Sequence, residues 1–332
     1  MSTSVPLVHE YRGDTLDLIH FGHIAIVDER SQIIYKAGDP YATVFYRSSS
    51  KPIQALPTIS RGLDKEYGLT DEETAIFAAS HSGEDFHVVA LESILSKAGF
   101  SEEMLIMKPA RPSNVKANEE RITRGLPKRK LYHNCSGKHA ALMLLQRKLG
   151  GKTGDYWKLD SPAQLEVIET IKKLSETDHV EIGVDGCGVP VFAVGLKHIA
   201  ISFKNLVRPG MIRDEALGRA AERFIPRIHR YPLMIVGTGS VCSYLNYDPN
   251  ILAKGGANGV YGLALKNEGI GVAFKVTDGT ESAWPLIIMD ILRGLGHLSP
   301  ETEKRLEGLS PAVILNDNET VVGRRETVFR GF

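Results

Sequence analysis

Apolar and β-branched runs predict strands in several parts of the chain. Residues 23–36 (HIAIVDERSQIIYK) hold two β-branched runs around a polar turn, which indicates an antiparallel hairpin near the N-terminus. Residues 269–279 (GIGVAFKVTDG) predict a further strand. The segment 234–245 (MIVGTGSVCSYL) predicts a buried apolar strand that breaks at Gly237-Thr238-Gly239 into a helix or turn.

Helix-start signals precede several runs with helical spacing. Serines ahead of Pro52 predict a helix entrance that holds Ser48 and Lys51. Residues 109–130, rich in Pro, Lys, Arg and Asn, predict a surface excursion. The other predicted helices are a short one from the capping box Thr70–Glu73 to near Ser80, one from 82–85 to Gly99, one after 133–139, one from Ser161-Pro162, and those at 213–226 and 281–296.

The order of these elements predicts the fold class. Helices and strands mix without a regular βα period, and no internal repeat or low-complexity tract interrupts them. This pattern is typical of an α/β chain of the α+β type, with a mostly antiparallel sheet flanked by helices and intermingled subdomains. The 332 residues allow one large domain or two intermingled ones, with enough core to fold without disulfides.

Charge and composition exclude several partner classes. With 40 Lys and Arg against 40 Asp and Glu, the net charge is zero, and no basic block marks a nucleic-acid or anionic-membrane surface. The first twenty residues lack the basic segment followed by an apolar segment that is typical of a secretory signal peptide. No apolar stretch reaches the roughly 20 residues that span a bilayer, so we expect a cytoplasmic location. The three cysteines, Cys135, Cys187 and Cys242, are predicted to be free thiols, metal ligands or buried packing residues.

Ser48 and Lys51 are the first candidates for chemistry. Residues three apart at a helix start share a face, so the Lys51 amine can reach the Ser48 hydroxyl. A lysine acts as a base only when its pKa is lowered. The pair alone is a weak signal, and a capping serine beside a surface lysine explains it as well. Ser80-His81 does not suit a nucleophile and base, so His81 is interpreted as structural, and no G-x-S-x-G elbow occurs.

Cys135 and Lys138 form the second candidate group. They lie three apart at a predicted helix start, where a thiol pKa is lowered, and Cys187 follows in a Gly-rich turn. The spacing permits a nucleophile or a metal site without requiring either, and taken alone it favours buried small thiols. Cys242 is interpreted as core packing, and no nucleotide-binding glycine motif occurs.

Six ordered motifs resemble one family. The chain resembles the L-asparaginase II family of the rhizobial type over most of its length. The fold of that family is similar to serine β-lactamases and β-lactamase-like glutaminases, so the resemblance implies a single catalytic domain over residues 1–332. The motifs are RSSSKPIQ at 47–54, AASHSGE at 78–84, HNCSGKH at 133–139, DGCGVP at 185–190, GTGSVC at 237–242 and AKGGA at 253–257.

The resemblance also implies a reaction and its residues. It implies hydrolysis of L-asparagine to L-aspartate and ammonia through an acyl-enzyme, with Ser48 as nucleophile and Lys51 as its base. Ser80 and Lys254 form a second Ser-Lys pair in this interpretation. The substrate is then held by Arg47, His139, Asp185 and Gly239, where Arg47 suits the α-carboxylate and Asp185 the α-ammonium.

A zinc ion and a homodimer are further implications of the resemblance. Cys135, Lys138 and Cys187 are implied to bind the zinc with a water in the fourth position, and the lysine must then be neutral. Asn258 stands where we expect an acidic residue in many relatives. Two alternatives stay open, namely a glutaminase-type amidohydrolase on the same fold, since glutamine differs by one methylene, and a non-catalytic zinc- or amino-acid-binding protein.

Overall fold

The computed structural model of the protein describes residues 3–309 and 312–331. The strands are β1 (Val5–Arg12), β2 (Thr15–Val27), β3 (Ile33–Ala37), β4 (Thr43–Phe45), β5 (Glu181–Val184), β6 (Pro190–Gly195), β7 (Ile251–Gly256), β8 (Val260–Leu265), β9 (Ile270–Val276), β10 (Val313–Leu315) and β11 (Val321–Thr327). The helices are α1 (Lys51–Ser60), α2 (Leu63–Glu66), α3 (Asp71–Ala75), α4 (Asp85–Ala98), α5 (Val115–Thr123), α6 (Ser136–Lys148), α7 (Pro162–Ser175), α8 (Leu196–Val207), α9 (Glu215–Arg230), α10 (Val241–Leu245), α11 (Trp284–Gly294) and α12 (Pro300–Glu307).

The chain divides into two compact units, and each draws on separated parts of the sequence. Of the residues that the structure describes, the first unit takes 3–49, Val194–Lys204, 239–309 and 312–331. The second consists of Ser50–Ala193 and Asn205–Thr238. The expectation of one catalytic domain over residues 1–332 stays a prediction.

The first unit is built on an antiparallel sheet. Its strand order is β10-β11-β1-β2-β9-β8-β7, and β3 also pairs with β2. The long strand β2 pairs through residues 15–22 with β1 and through Ile24–Val27 with β3, while β9 lies along its other edge. The predicted hairpin at 23–36 and the strand at 269–279 are therefore confirmed, and so is the mostly antiparallel sheet.

Glycines let two helices pack closely on opposite faces of this sheet. A Cβ on Gly262 of β8 would lie 2.1 Å from the ring of Phe203, which belongs to α8. A Cβ on Gly255 of β7 would lie 2.8 Å from the ring of Trp284, at the start of α11. Gly262 pairs with Lys254, so these two residues face the same side of the sheet. Gly255 follows Lys254 on β7 and therefore faces the other side. The sheet is thus flanked by helices, as predicted.

The second unit is mainly helical. α1 packs against α6, α7 and α9, and all of its residues except Ser60 are buried. The predicted capping box of α3 is present, because Glu73 N donates to Thr70 Oγ1 and Thr70 N donates to the Glu73 carboxylate. α4 ends at Gly99, whose φ of 63° is the left-handed conformation that glycine adopts without strain.

Two predicted elements differ from the structure. The excursion at 109–130 contains α5, which is capped by the Asn114 side chain at Ala117 N. The strand expected in 234–245 does not form, and the chain there makes a 3-10 turn over Pro232–Ile235 and then α10. No helix within residues 3–309 and 312–331 is long and apolar enough to cross a membrane.

Candidate functional site

Lys51 lies at the first position of α1 with its side chain fully buried. Its Nζ lies 2.6 Å from Ala79 O, 2.9 Å from Ser80 Oγ and 3.3 Å from Asn134 O. Burial of a lysine is tolerated only when its nitrogen is hydrogen-bonded. Ser80 and Lys51, 29 residues apart in sequence, thus come into direct contact.

A glycine positions the start of α6 beside the segment that leads to Ser80. A Cβ on Gly137 would lie 2.2 Å from Ile76 O, so only glycine lets the two backbones approach this closely. Next to this contact, His81 Nε2 lies 2.7 Å from Ser136 Oγ, and Ser136 Oγ donates to Leu131 O at 3.1 Å. The structural interpretation of His81 agrees with this fully buried position.

Cys135, Lys138 and Cys187 form a buried cluster. Lys138 Nζ donates to Cys187 Sγ at 3.2 Å, and the three side chains are at most 5% exposed. The pKa of Cys135 is lowered well below its ordinary value, because the Cys187 thiol hydrogen-bonds to it and Lys51 and Lys138 lie nearby. Although burial acts in the opposite direction, the sulfurs of Cys187 and Cys135 and the Asp185 carboxylate raise the pKa of Lys138.

The donor set of this cluster fits a zinc ion. Two sulfurs and an amine nitrogen meet there, and zinc prefers sulfur and nitrogen donors. No three His, Cys, Asp or Glu side chains could together hold a metal in residues 3–309 and 312–331. A site at this cluster therefore needs the Lys138 amine as a donor, and that amine and the thiols must lose protons to bind. All three cysteines are free and buried.

His139 is the next buried group along α6. Its Nδ1 lies 2.8 Å from the hydroxyl of Tyr156, and its Nε2 has no hydrogen-bond partner among the described residues. Burial and the charge of Lys138 lower the pKa of His139 well below its ordinary value, which favours the neutral form of the ring. A buried polar atom without a partner marks a position where a ligand atom or water can bind.

Glu84 joins two loops of the second unit. Its Oε1 accepts from Thr238 N at 2.9 Å and from Ser82 Oγ at 2.8 Å, and its Oε2 accepts from Thr238 Oγ1 at 2.9 Å. A Cβ on Gly237, whose φ is 131°, would lie 2.1 Å from Glu84 Oε1. Ser80 N and Ser82 N also donate to the carbonyls at 235 and 236. These bonds hold the loop that carries Ser80 in place.

Ser48 and Arg47 belong to the first unit, in the 3-10 turn Arg47–Ser50 that leads into α1. The helix entrance predicted there is confirmed. Arg47 has a φ of 50°. Residues other than glycine adopt this left-handed backbone conformation at a cost in free energy, and such residues often occur at functional sites. A Cβ on Gly256 would lie 2.4 Å from Tyr46 O and 3.0 Å from Ser49 N, so β7 approaches this turn closely.

β7 carries Lys254, which is buried and donates from Nζ to Gly255 O at 2.7 Å. Side chains of the α10 region bond to the outer edge of β7. Asn246 contacts both the N–H and the carbonyl of Ala253, and Gly255 N donates to Cys242 Sγ at 3.1 Å. Cys242 is thus buried in packing contacts, consistent with its interpretation as a core residue.

Asn258 lies in the turn between β7 and β8 with a φ of 65°. Asparagine adopts this left-handed conformation more readily than most residues, so the turn itself favours Asn at a position where we expect an acidic residue in relatives. Gly239, exposed and with a φ of 67°, begins the last segment of the first unit.

The model of the family L-asparaginase II matches residues 8–327. The chain belongs to the L-asparaginase II family. Membership makes the protein an amidohydrolase whose substrate is a small amide. No curated protein sequence matches the chain.

The chain is similar to several solved structures that are distant from it in sequence. A β-lactamase from Mycobacterium bovis has 13% identity and a TM-score of 0.43, with 83% of this chain and 95% of that chain covered. A Bacillus glutaminase has 12% identity and a TM-score of 0.40, with 83% of this chain and 91% of that chain covered.

The second unit brings together six of the predicted site residues of this L-asparaginase II family member: Lys51, Ser80, Cys135, Lys138, His139 and Cys187. Asp185 is close enough to act on Lys138 electrostatically. Arg47, Ser48, Gly239 and Lys254 lie in the first unit. Sequence reasoning missed Tyr156 and Glu84, because each acts through a contact with a residue remote in sequence.

Proposed function

We propose that the protein hydrolyses L-asparagine to L-aspartate and ammonia through an acyl-enzyme on Ser48. The observation that carries this proposal is the buried Lys51 amine, which contacts Ala79 O, Asn134 O and the hydroxyl of Ser80, the second serine of the proposed machinery. A carbonyl can only accept a hydrogen bond, whereas a hydroxyl can also donate. A neutral amine has two N–H groups, which suit Ala79 O and Asn134 O, and one lone pair, which can accept a proton from a serine hydroxyl.

This arrangement supports a lysine acting as a general base. In the proposed first step, Ser48 Oγ attacks the carboxamide carbon of the substrate, and the hydroxyl proton passes to the Lys51 amine. The resulting ammonium returns the proton to the leaving nitrogen, and ammonia departs as the ester forms. Water then attacks the ester carbon and gives a proton to Lys51. As the bond from that carbon to Ser48 Oγ breaks, Lys51 returns the proton to Ser48 Oγ, so aspartate leaves and the enzyme is regenerated.

Charge complementarity supports the proposed substrate contacts. Arg47 pairs with the α-carboxylate, and Asp185, half-buried beside Lys138, pairs with the α-ammonium. His139 supplies a buried ring nitrogen without a partner among the described residues. We also assign Ser80 and Lys254 to the proposed machinery and Gly239 to the proposed substrate contacts.

The cluster of Cys135, Lys138 and Cys187 is proposed to hold a zinc ion. A zinc ion, when bound, would act as a Lewis acid that polarises an adjacent oxygen atom. The chain's own contribution is the buried Cys135 sulfur, whose thiol pKa is lowered by its neighbours, and the Lys138 amine, which must release its proton when the metal binds.

The test is release of ammonia from L-asparagine and from L-glutamine by the purified protein. Ser48→Ala removes the nucleophile, so we expect kcat for asparagine to fall by about a thousandfold or more. The matched control is Ser49→Ala, one residue further on, whose hydroxyl donates to Tyr46 O at 2.7 Å. It loses a structural hydrogen bond and should keep its activity. Full activity of Ser48→Ala would refute the proposed nucleophile.

The choice between asparagine and glutamine is part of the same assay. The two differ by one methylene, which a pocket distinguishes by only about 1–3 kcal/mol. We expect kcat/KM to be higher for asparagine, and a preference for glutamine would reassign the substrate. The same assay tests the cluster when metal is removed with a chelator and zinc is then added back. Any effect of zinc on ammonia release in the wild type should be absent in Cys135→Ser.

A further inference from the structure

The Tyr156 hydroxyl lies between a backbone N–H and the imidazole of His139. Ile106 N donates to Tyr156 Oη at 3.1 Å, and Tyr156 Oη lies 2.8 Å from His139 Nδ1. The hydroxyl cannot donate to the amide, because the amide nitrogen is itself a donor. Its proton therefore has one partner among the described residues, the Nδ1 lone pair.

Counting unsatisfied groups decides the tautomer of His139. If Tyr156 donates to Nδ1, the ring proton is on Nε2, and one buried group is left without a partner. If Nδ1 carries the proton and donates to Tyr156, both the tyrosine proton and the Nε2 lone pair are left without partners. Each such buried group costs free energy, so the Nε2–H tautomer is favoured.

The position of Tyr156 is fixed by its main chain and by packing. Its carbonyl accepts from Gln164 Nε2 at 2.9 Å and from Ser161 Oγ at 3.3 Å, both near the start of α7. Its side chain is fully buried, and its ring lies edge-on to the imidazole, with centroids 5.5 Å apart at 83°. The hydroxyl is thus held in one place relative to His139.

We propose that Tyr156 is a positioning residue that fixes His139 as the Nε2–H tautomer, so that the ring presents a buried N–H donor to an oxygen atom of the substrate. The inference rests on the proposed function for the identity of that oxygen, a carboxylate or carboxamide oxygen of the amino-acid amide. The electrostatic neighbours of the ring are Cys135, Lys138, His133 and Lys51, which places it in the cluster described above.

The tautomer is measured directly by long-range ¹H–¹⁵N correlation spectra of the protein with ¹⁵N-labelled histidine. His139→Gln identifies the His139 signals by their loss. We expect a protonated, pyrrole-type Nε2 and a bare, pyridine-type Nδ1 in the wild type, and a mixture of both tautomers in Tyr156→Phe. A wild-type spectrum with the proton on Nδ1 overturns the proposal.

Kinetics test the contact with substrate. Tyr156→Phe should raise KM for asparagine by roughly tenfold and change kcat less, because one hydrogen bond to bound substrate is weakened. His139→Gln keeps a nitrogen donor near the Nε2 position and should retain more affinity than His139→Asn, whose donor lies near Nδ1.

Thr58→Val is the control for the loss of a buried hydroxyl, since Thr58 Oγ1 donates to Ala141 O at 3.1 Å. Its KM should equal that of the wild type. An unchanged KM in an active Tyr156→Phe enzyme overturns the substrate contact. If the wild type releases no ammonia from either amide, the proposed function fails, while the nitrogen spectrum still decides the tautomer.

Discussion

Glu84 receives three hydrogen bonds through its two carboxylate oxygens, from Ser82 and from both the backbone and the hydroxyl of Thr238. Its neighbour Gly237 must lack a side chain to admit the carboxylate. A single acidic side chain therefore determines how two loops fit together, one of which carries Ser80.

Replacing Glu84 with Gln exchanges one acceptor oxygen for an NH2 group. We expect the free energy of unfolding to fall by about 1–2 kcal/mol, because at least one donor loses its acceptor. Urea denaturation measures the change. Glu92→Gln on α4, an exposed residue whose partner Arg129 also pairs with Glu102, should change stability by less than about 0.5 kcal/mol. Equal effects of the two variants would contradict this role of Glu84.

Single residues show where sequence reasoning reaches its limit. Ser48 and Lys51 are close in sequence, so local spacing on a helix start suffices to propose them as a pair. The contacts of Lys51 with Ser80 and of Glu84 with Thr238 join residues 29 and 154 positions apart. Such contacts depend on the tertiary fold, which no local pattern encodes.

At the scale of elements, α6 shows that the residues that form a helix and those that fix its position can differ. Its sequence predicts a helix after 133–139, and the structure begins it at Ser136. Helix propensity alone disfavours glycine near its start. Gly137 is required instead by the contact with Ile76 O, which brings the segment of Cys135 and Lys138 against the 3-10 turn Ile76–Ala78.

Gly137→Ala separates these two effects. Alanine is about 1 kcal/mol better than glycine in a helix, but its Cβ would lie 2.2 Å from a backbone oxygen. We expect a net loss of about 2–3 kcal/mol in unfolding free energy, within the range for overpacking. Gly154→Ala, where a Cβ meets nothing within 4 Å, should be nearly neutral in the same urea titration. A stabilised Gly137→Ala protein would show that the contact is not restrictive.

Elements with strong local signals were predictable, and those with weak ones were not. α3 begins with a capping box, and α4 ends at a glycine. α5 buries only Ala117 and Arg121, so its sequence lacks an apolar stripe. The strand prediction at 234–245 was wrong because the carbonyls at 235 and 236 bond to the Ser80 loop and not to a sheet strand.

The molecule as a whole contains histidines that are buried and neutral. Burial lowers the pKa of His87 to about 4, and the Nε2 of this residue bonds to Leu233 O at 3.0 Å. Burial also lowers the pKa of His81 well below its ordinary value. In the unfolded chain these side chains titrate near 6.5.

This difference makes stability depend on pH. Between about pH 6.5 and the folded pKa of about 4, the unfolded state binds more protons through His87, so stability falls as the pH falls. The contribution of His87 is about 1.4 kcal/mol per pH unit and about 3 kcal/mol in total. Urea unfolding of His87→Gln from pH 7 to pH 5 should show a smaller slope than the wild type. Replacement of the exposed His179 by Gln should leave the slope unchanged, and equal slopes for all three proteins would contradict the assignment.

The hydrogen bonds along the outer edge of β7 bear on aggregation at high protein concentration. An edge strand with free backbone groups can pair with another chain and start aggregation. On β7, Asn246 and Cys242 already bond to the outward-facing groups of Ala253 and Gly255. At the other end of the sheet, β10 has three residues and an irregular register with β11. Neither of these two ends therefore offers a long, regular template for extension into fibrils.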